Sequence, residues 1–147
     1  PIKTSIQSGI PFLGICLGMQ LLFDQSNVFG NQKGLGILEG QVNRFNFENQ
    51  NIHVPHVGWN ELHFSDKAKK GNSPLRDIDE SHVYFVHSFY VDSKDTSVVL
   101  STTKYGETSY CSSVMKNNIF ATQFHPEKSG VIGLRIFENW LNDNNLL

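Results

Sequence analysis

Pro11-Phe12-Leu13-Gly14-Ile15-Cys16-Leu17-Gly18-Met19-Gln20 is the stretch on which the reading of the fold turns. A short apolar run, Phe12 to Ile15, leads into Gly-Ile-Cys-Leu-Gly, and Met19 to Phe23 can continue as a helix. The spacing predicts strand, sharp turn and helix, with a cysteine at the corner, the pattern of a nucleophile elbow. A residue on so tight a turn sits in strained backbone geometry. The positions two before and two after it must be small for strand and helix to approach, and they are Gly14 and Gly18. At a helix N-terminus the dipole and free N–H groups would favour the Cys16 thiolate, and the backbone N–H of Leu17 would face an oxyanion formed beside the sulfur. A second reading stays open on these residues alone, because an unpaired cysteine is often a small buried hydrophobe.

Working upstream, Ile2 to Gly9 reads as the last turns of a helix closed by a glycine. An uninterrupted apolar strand such as Phe12–Ile15 normally lies inside a parallel sheet with neighbours on both sides. Few candidates precede it, so the expectation is that residues 1–147 are the larger C-terminal portion of a longer α/β domain whose first strands lie before Pro1. Downstream, Gln25 to Gly36 is polar and glycine-containing and reads as a loop, Gly36 to Phe45 as a strand, and Asn46 to Asn51 as a turn. Ile52 to Leu62 reads as extended, and Ser65 to Asp79 as exposed loop with one short helix. His82 to Val91 and Ser97 to Thr103 suit strands through their aromatic and β-branched content. Ser109–Met115 and Ile119–Phe124 flank Lys116-Asn117-Asn118 as a hairpin. Val131 to Asn142 closes the chain as an amphipathic helix, with Leu134, Phe137 and Leu141 on one face and Trp140 beside them.

Composition narrows the function classes. At 147 residues and 39% hydrophobic content the chain can bury a real core as one domain. A net charge of −2 gives no electrostatic reason to expect nucleic acid or an anionic membrane as partner. No stretch is long and apolar enough to cross a bilayer. Two cysteines are too few for a disulfide framework and suit a reducing cytoplasm; Cys111, in a strand without a glycine frame, reads as structural. His53, His56 and His63 have no nearby cysteine and no helical His-x-x-x-His pairing, so no metal site is expected.

A thiolate nucleophile needs a base, and the base needs an orienting group. Of six histidines, His125 has the best setting: it ends a strand, Pro126 stiffens the turn, and Glu127 lies two residues away, on the same side if the chain stays extended.

Gly14-Ile15-Cys16-Leu17-Gly18-Met19-Gln20 together with Gln123-Phe124-His125-Pro126-Glu127 resembles the class I, or triad, glutamine amidotransferases. Within that family, Pro55-His56-Val57-Gly58-Trp59-Asn60, Tyr84-Phe85-Val86-His87-Ser88 and Pro126-Glu127-Lys128-Ser129-Gly130 resemble the glutaminase subunits of imidazole glycerol phosphate synthases. The resemblance implies a three-layer α/β fold on a mainly parallel central sheet, and a reaction in which Cys16 attacks the side-chain amide of glutamine, His125 shuttles the proton and Glu127 orients His125. It also implies that Leu17 supplies a backbone oxyanion donor, and that Gln20 with the segment His87, Ser88 and Phe89 contacts the substrate. Trp59, Tyr84 and Lys128 would then face a (β/α)₈-barrel cyclase subunit that receives the ammonia in a cytoplasmic heterodimer of histidine biosynthesis. No metal or organic cofactor is implied. Phe89 departs from the family's usual tyrosine. Another triad amidotransferase, a γ-glutamyl hydrolase, and a non-catalytic module that docks on a barrel remain alternatives at this point.

Overall fold

The computed structural model describes residues 1–28, 30–48, 51–79 and 82–147. Apolar and β-branched runs set its strands: β1 (Phe12–Ile15), β2 (Phe23–Ser26), β3 (Gln32–Lys33), β4 (Leu38–Arg44), β5 (His56–Glu61), β6 (His63–Phe64), β7 (His82–His87), β8 (Phe89–Ser93), β9 (Val99–Tyr105), β10 (Thr108–Lys116) and β11 (Ile119–Thr122). Among the described residues three α-helices join them, α1 (Ile2–Gln7), α2 (Leu17–Gln20) and α3 (Gly130–Asp143). The main sheet runs β1-β11-β10-β8-β4-β2-β3, with β9 also paired to β10 and β6 to β9, while β5 and β7 form a separate antiparallel pair. β1 lies parallel to β11 and β2 parallel to β4; the other pairings are antiparallel.

Alternation along the strands sorts side chains into two cores. On β11, Ile119 and Ala121 enter one cluster with Ile6 of α1 and Met19 of α2, and Phe120 enters the other with Phe85 and Ile136 of α3. On β10, Cys111 and Val114 share a side although they are three apart, because the register with β9 shifts between them. Cys111 is buried there, as expected of a structural cysteine, and burial pushes its thiol up to about 12. The hairpin of β10 and β11 turns at Asn117, whose φ is 52°, and Asn118 donates to the carbonyls of Ile6 and Ile10, fixing the end of α1 beside the start of β1.

Several elements differ from the sequence expectations. The helix expected through Phe23 ends at Gln20, because the Leu21 and Leu22 carbonyls are taken by the N–H groups of Leu35, Ile37 and Leu38, and Phe23 pairs with Leu38. The 25–36 loop therefore contains the end of β2 and all of β3. The 82–91 strand breaks at Ser88 into β7 and β8, and the strand expected from Ser97 opens with a 3₁₀ turn, Thr96–Val98. Ser65 to Asp79 is not simply exposed. It has the expected short helix, Asp66–Lys69, but Ala68, Ser73, Leu75 and Ile78 are buried, and Asn139 of α3 donates to the carbonyl of Pro74 and to Asp77. On α3 the buried stripe is Gly133, Ile136 and Asn139 flanked by Ile132 and Trp140, whereas Leu134 is exposed. Residues 49 and 50 of the expected 46–51 turn lie outside the described residues. Among the described residues no helix is long and apolar enough to cross a membrane.

Candidate active site

β1 is held against β11 up to Ile15 and Thr122, and the Cys16 N–H donates to the Thr122 carbonyl at 2.7 Å. The backbone then turns at Cys16 with φ 51° and ψ −102°, and α2 begins at the next residue. The expected elbow is therefore present. A Cβ on Gly14 would lie 2.9 Å from the carbonyl carbon and oxygen of Gly18, so only glycine at 14 lets helix and strand approach this closely. Gly18 is a different matter: a Cβ there meets nothing within 4 Å, so its contribution is its backbone.

The thiol does not have the depressed pKa that the elbow alone suggests. Burial pushes it up, and the Leu17 N–H and the Gln123 amide pull against that, while the charge of Glu127 adds to the rise. A helix of four residues aligns too few peptide dipoles to outweigh desolvation. Cys16 therefore needs a base to take its proton.

His125 follows β11 with extended backbone, and its N–H donates to the Tyr84 carbonyl at 2.9 Å. Its Nδ1 lies 2.6 Å from Glu127 Oε1. A carboxylate can only accept, so in the neutral ring the proton sits on Nδ1 and Nε2 is left as the acceptor. That Nε2 is buried without a hydrogen-bond partner among the described residues. Glu127 reaches the ring by a route other than strand alternation: Pro126–Lys128 is a 3₁₀ turn. Ser129 Oγ holds that turn, donating to the His125 carbonyl and accepting from the Tyr84 N–H. Cys16 Sγ faces the Val86 carbonyl at 3.9 Å, two residues along β7 from the Tyr84 carbonyl that holds His125. Two strand residues span about 6.6 Å, so β7 brings the cysteine and the histidine to adjacent positions.

Gln20 is buried and its Nε2 donates to the Phe89 carbonyl and to Gln123 Oε1, both at 3.0 Å. Around the bend after β7, the Ser88 carbonyl accepts the Phe45 N–H and the Phe89 carbonyl also takes Nδ1 of His87 at 2.7 Å. His87 Nε2 meets the Tyr110 hydroxyl, which meets His56 Nδ1, and His56 Nε2 meets the Asn60 amide. The ends fix the direction of this chain, since a carbonyl accepts and an amide NH₂ donates. Both histidines are neutral in it, and burial lowers each to about 4. Neither this chain nor Gln123 is visible in the sequence, because their side chains converge from β5, β7, β10 and the end of β11. The glutamine in Gln-Phe-His-Pro-Glu was the one available hint. Among the described residues no group of three His, Cys, Asp or Glu side chains could hold a metal ion.

Trp59 and Tyr84, paired across β5 and β7, have ring centroids 6.2 Å apart, and Lys128 Nζ lies 5.9 Å from the Tyr84 ring. Trp59 is 57% exposed. The three expected interface residues thus share one surface, backed by the strand that carries the carbonyls of Tyr84 and Val86.

The model of the family described as "Glutamine amidotransferase class-I" matches residues 1–143. The chain is 49% identical over 144 residues to the imidazole glycerol phosphate synthase subunit HisH of Syntrophotalea carbinolica, covering 95% of this chain and 68% of that protein. It is 47% identical to the subunit of the same name from Geobacter metallireducens, covering 95% and 67%, and 47% identical to that from Gloeothece citriformis, covering 97% and 65%. The chain thus spans about two thirds of the length of the relatives it matches. Among solved structures it resembles one described as a glutamine amidotransferase, with TM-score 0.65 at 19% identity over 98% of this chain and 66% of that one. It resembles PurLQS from Thermotoga maritima with TM-score 0.65 at 18% identity, over 97% and 66%. These likenesses show a shared α/β fold.

Proposed function

Because this chain belongs to the class I glutamine amidotransferase family, we propose that it is the glutaminase portion of an imidazole glycerol phosphate synthase, acting in the cytoplasm in histidine biosynthesis. Cys16 is the nucleophile, His125 the general base and acid, and Glu127 the group that orients His125. His125 Nε2 takes the proton from Cys16 Sγ as the sulfur attacks the carboxamide carbon of glutamine, and the Leu17 N–H stabilises the oxyanion. The tetrahedral intermediate collapses, the C–N bond breaks, and Nε2 returns the proton to the departing ammonia. Water, deprotonated by the same nitrogen, then hydrolyses the γ-glutamyl thioester to glutamate and free Cys16. Gln20 and the backbone of His87, Ser88 and Phe89 hold the substrate. Ammonia passes to a (β/α)₈-barrel cyclase partner docked over Trp59, Tyr84 and Lys128.

One observation carries this reading: Nε2 of His125 is buried, has no hydrogen-bond partner among the described residues, and in the neutral ring is left an acceptor by the Nδ1 contact with Glu127. A buried polar atom without a partner is uncommon, and here it is the atom the chemistry requires. The test is glutamate release by the full protein with a barrel cyclase and its phosphoribulosyl acceptor. Acceptor-stimulated turnover that disappears in Cys16→Ala is expected. Turnover surviving Cys16→Ala, or turnover indifferent to the cyclase, overturns the assignment.

A further inference from the structure

We propose that Gln123 is a further catalytic residue of this site, whose amide N–H is locked toward Cys16 Sγ and stabilises the thiolate when His125 removes the proton; this rests on the reading of Cys16 as nucleophile. Gln123 is completely buried at the end of β11, and its Nε2 lies 3.4 Å from the sulfur. The orientation of a glutamine amide follows from its partners. The Phe89 carbonyl can only accept, so the Gln20 group facing it is the NH₂, and the same NH₂ gives its second proton to the Gln123 side chain. The Gln123 oxygen must therefore face Gln20, and its nitrogen must face Cys16. One main-chain carbonyl thus sets both amides and aims a donor at the reacting atom.

The two protonation states of the sulfur use different partners. As a thiol, Cys16 can donate to the Val86 carbonyl at 3.9 Å. As a thiolate it can only accept, and Gln123 with the Leu17 N–H are the donors placed for it. Burial pushes the thiol up, and the Gln123 amide opposes that push.

The experiment is the pH dependence of Cys16 alkylation by iodoacetamide in the full protein bound to its cyclase, with variants Gln123→Leu and Gln123→Glu. Loss of the donor raises the midpoint of the alkylation profile. We expect a shift of about one pH unit for Gln123→Leu, hence about tenfold slower alkylation at pH 7. Gln123→Glu, which places an anion beside the sulfur, shifts further in the same direction. Thermal unfolding identifies which variants are folded, and Gln20→Leu, which frees the Gln123 amide to rotate, serves if neither is. A folded variant whose midpoint coincides with that of the unaltered protein overturns the proposal. A purely structural role for Gln123 would change stability without moving the midpoint. Failure of the glutaminase reading is distinct, because it appears as absent glutamate release by the unaltered protein whatever its alkylation profile.

Discussion

His125 Nδ1 lies 2.6 Å from Glu127 Oε1, a contact made across a 3₁₀ turn whose geometry Ser129 Oγ fixes from behind. The carboxylate thereby decides which ring nitrogen is free. In Glu127→Gln the amide can present a donor to Nδ1 and stabilise the wrong tautomer. We expect glutamate release to fall about 10²-fold with little change in Tm, a loss within the range of general acid–base catalysis. Glutaminase assays of the full protein with its partner check this, and unchanged turnover would contradict the role given to Glu127.

The elbow depends on one glycine more than on the other. Gly14→Ala presses a methyl onto the Gly18 carbonyl at 2.9 Å and should destabilise the chain by about 1–3 kcal/mol. Gly18→Ala meets open space and should stay within about 0.5 kcal/mol of the parent. Denaturant unfolding of the pair measures the difference, and equal effects would refute the asymmetry.

Gly133 couples α3 to the turn that carries Glu127. A Cβ there would overlap the Pro126 carbonyl oxygen, which is backbone rather than the end of a flexible side chain. Gly133→Ala must displace either α3 or the Pro126–Lys128 turn that carries Glu127. Turnover should therefore drop at temperatures where circular dichroism still reports a folded chain.

The pair His56 and His87 makes stability sensitive to acid. Burial lowers both to about 4, and the neighbouring charges of His56 and His125 add to the effect at His87, whereas unfolded histidine titrates near 6.5. Between those values the unfolded chain binds protons that the native chain refuses. Stability is therefore fully present above about 6.5 and is lost as the pH falls from there toward about 4. A series of Tm values from pH 7.5 to 4.5 should show this decline, and His87→Gln should flatten it.

Trp59 offers exposed aromatic area beside Tyr84. Trp59→Ala should weaken binding of the barrel cyclase about 30-fold, the scale of a hot-spot side chain, while leaving Tm unchanged. Titration of the two subunits by calorimetry measures it, and an unaltered affinity would move the docking surface elsewhere.

What could be read from the sequence was what is written in local chemistry. Gly-Ile-Cys-Leu-Gly encodes its own turn, Phe12–Ile15 its own strand, and Lys116-Asn117-Asn118 its own hairpin, and each is found where expected. Leu21, Leu22 and Phe23 look helical until Leu35, Ile37 and Leu38 claim the carbonyls of the first two, a choice made by residues a dozen or more positions away. Leu75 and Ile78 sit in a charged, glycine-punctuated stretch, and it takes contacts with α3, from Asn139 to Pro74 and Asp77 and between Arg76 and Asp143, to reveal that the stretch is pinned to the core. The candidate catalytic residues Cys16 and His125 were legible as motifs. The Gln20–Gln123 amide lock and the His56–Tyr110–His87 chain were not, because nothing in a linear sequence records which side chains meet across strands.

Cys16 is one of three non-glycine residues with positive φ among the described residues, and the other two, Asn117 and Asn145, are of the type that tolerates it. Holding an ordinary side chain there costs on the order of 1–3 kcal/mol. A glycine at position 16 would relieve that strain and remove the sulfur in one step. If Cys16 is the nucleophile proposed above, a stability screen alone would favour the glycine and discard the activity, scoring as a flaw the corner that the chemistry needs.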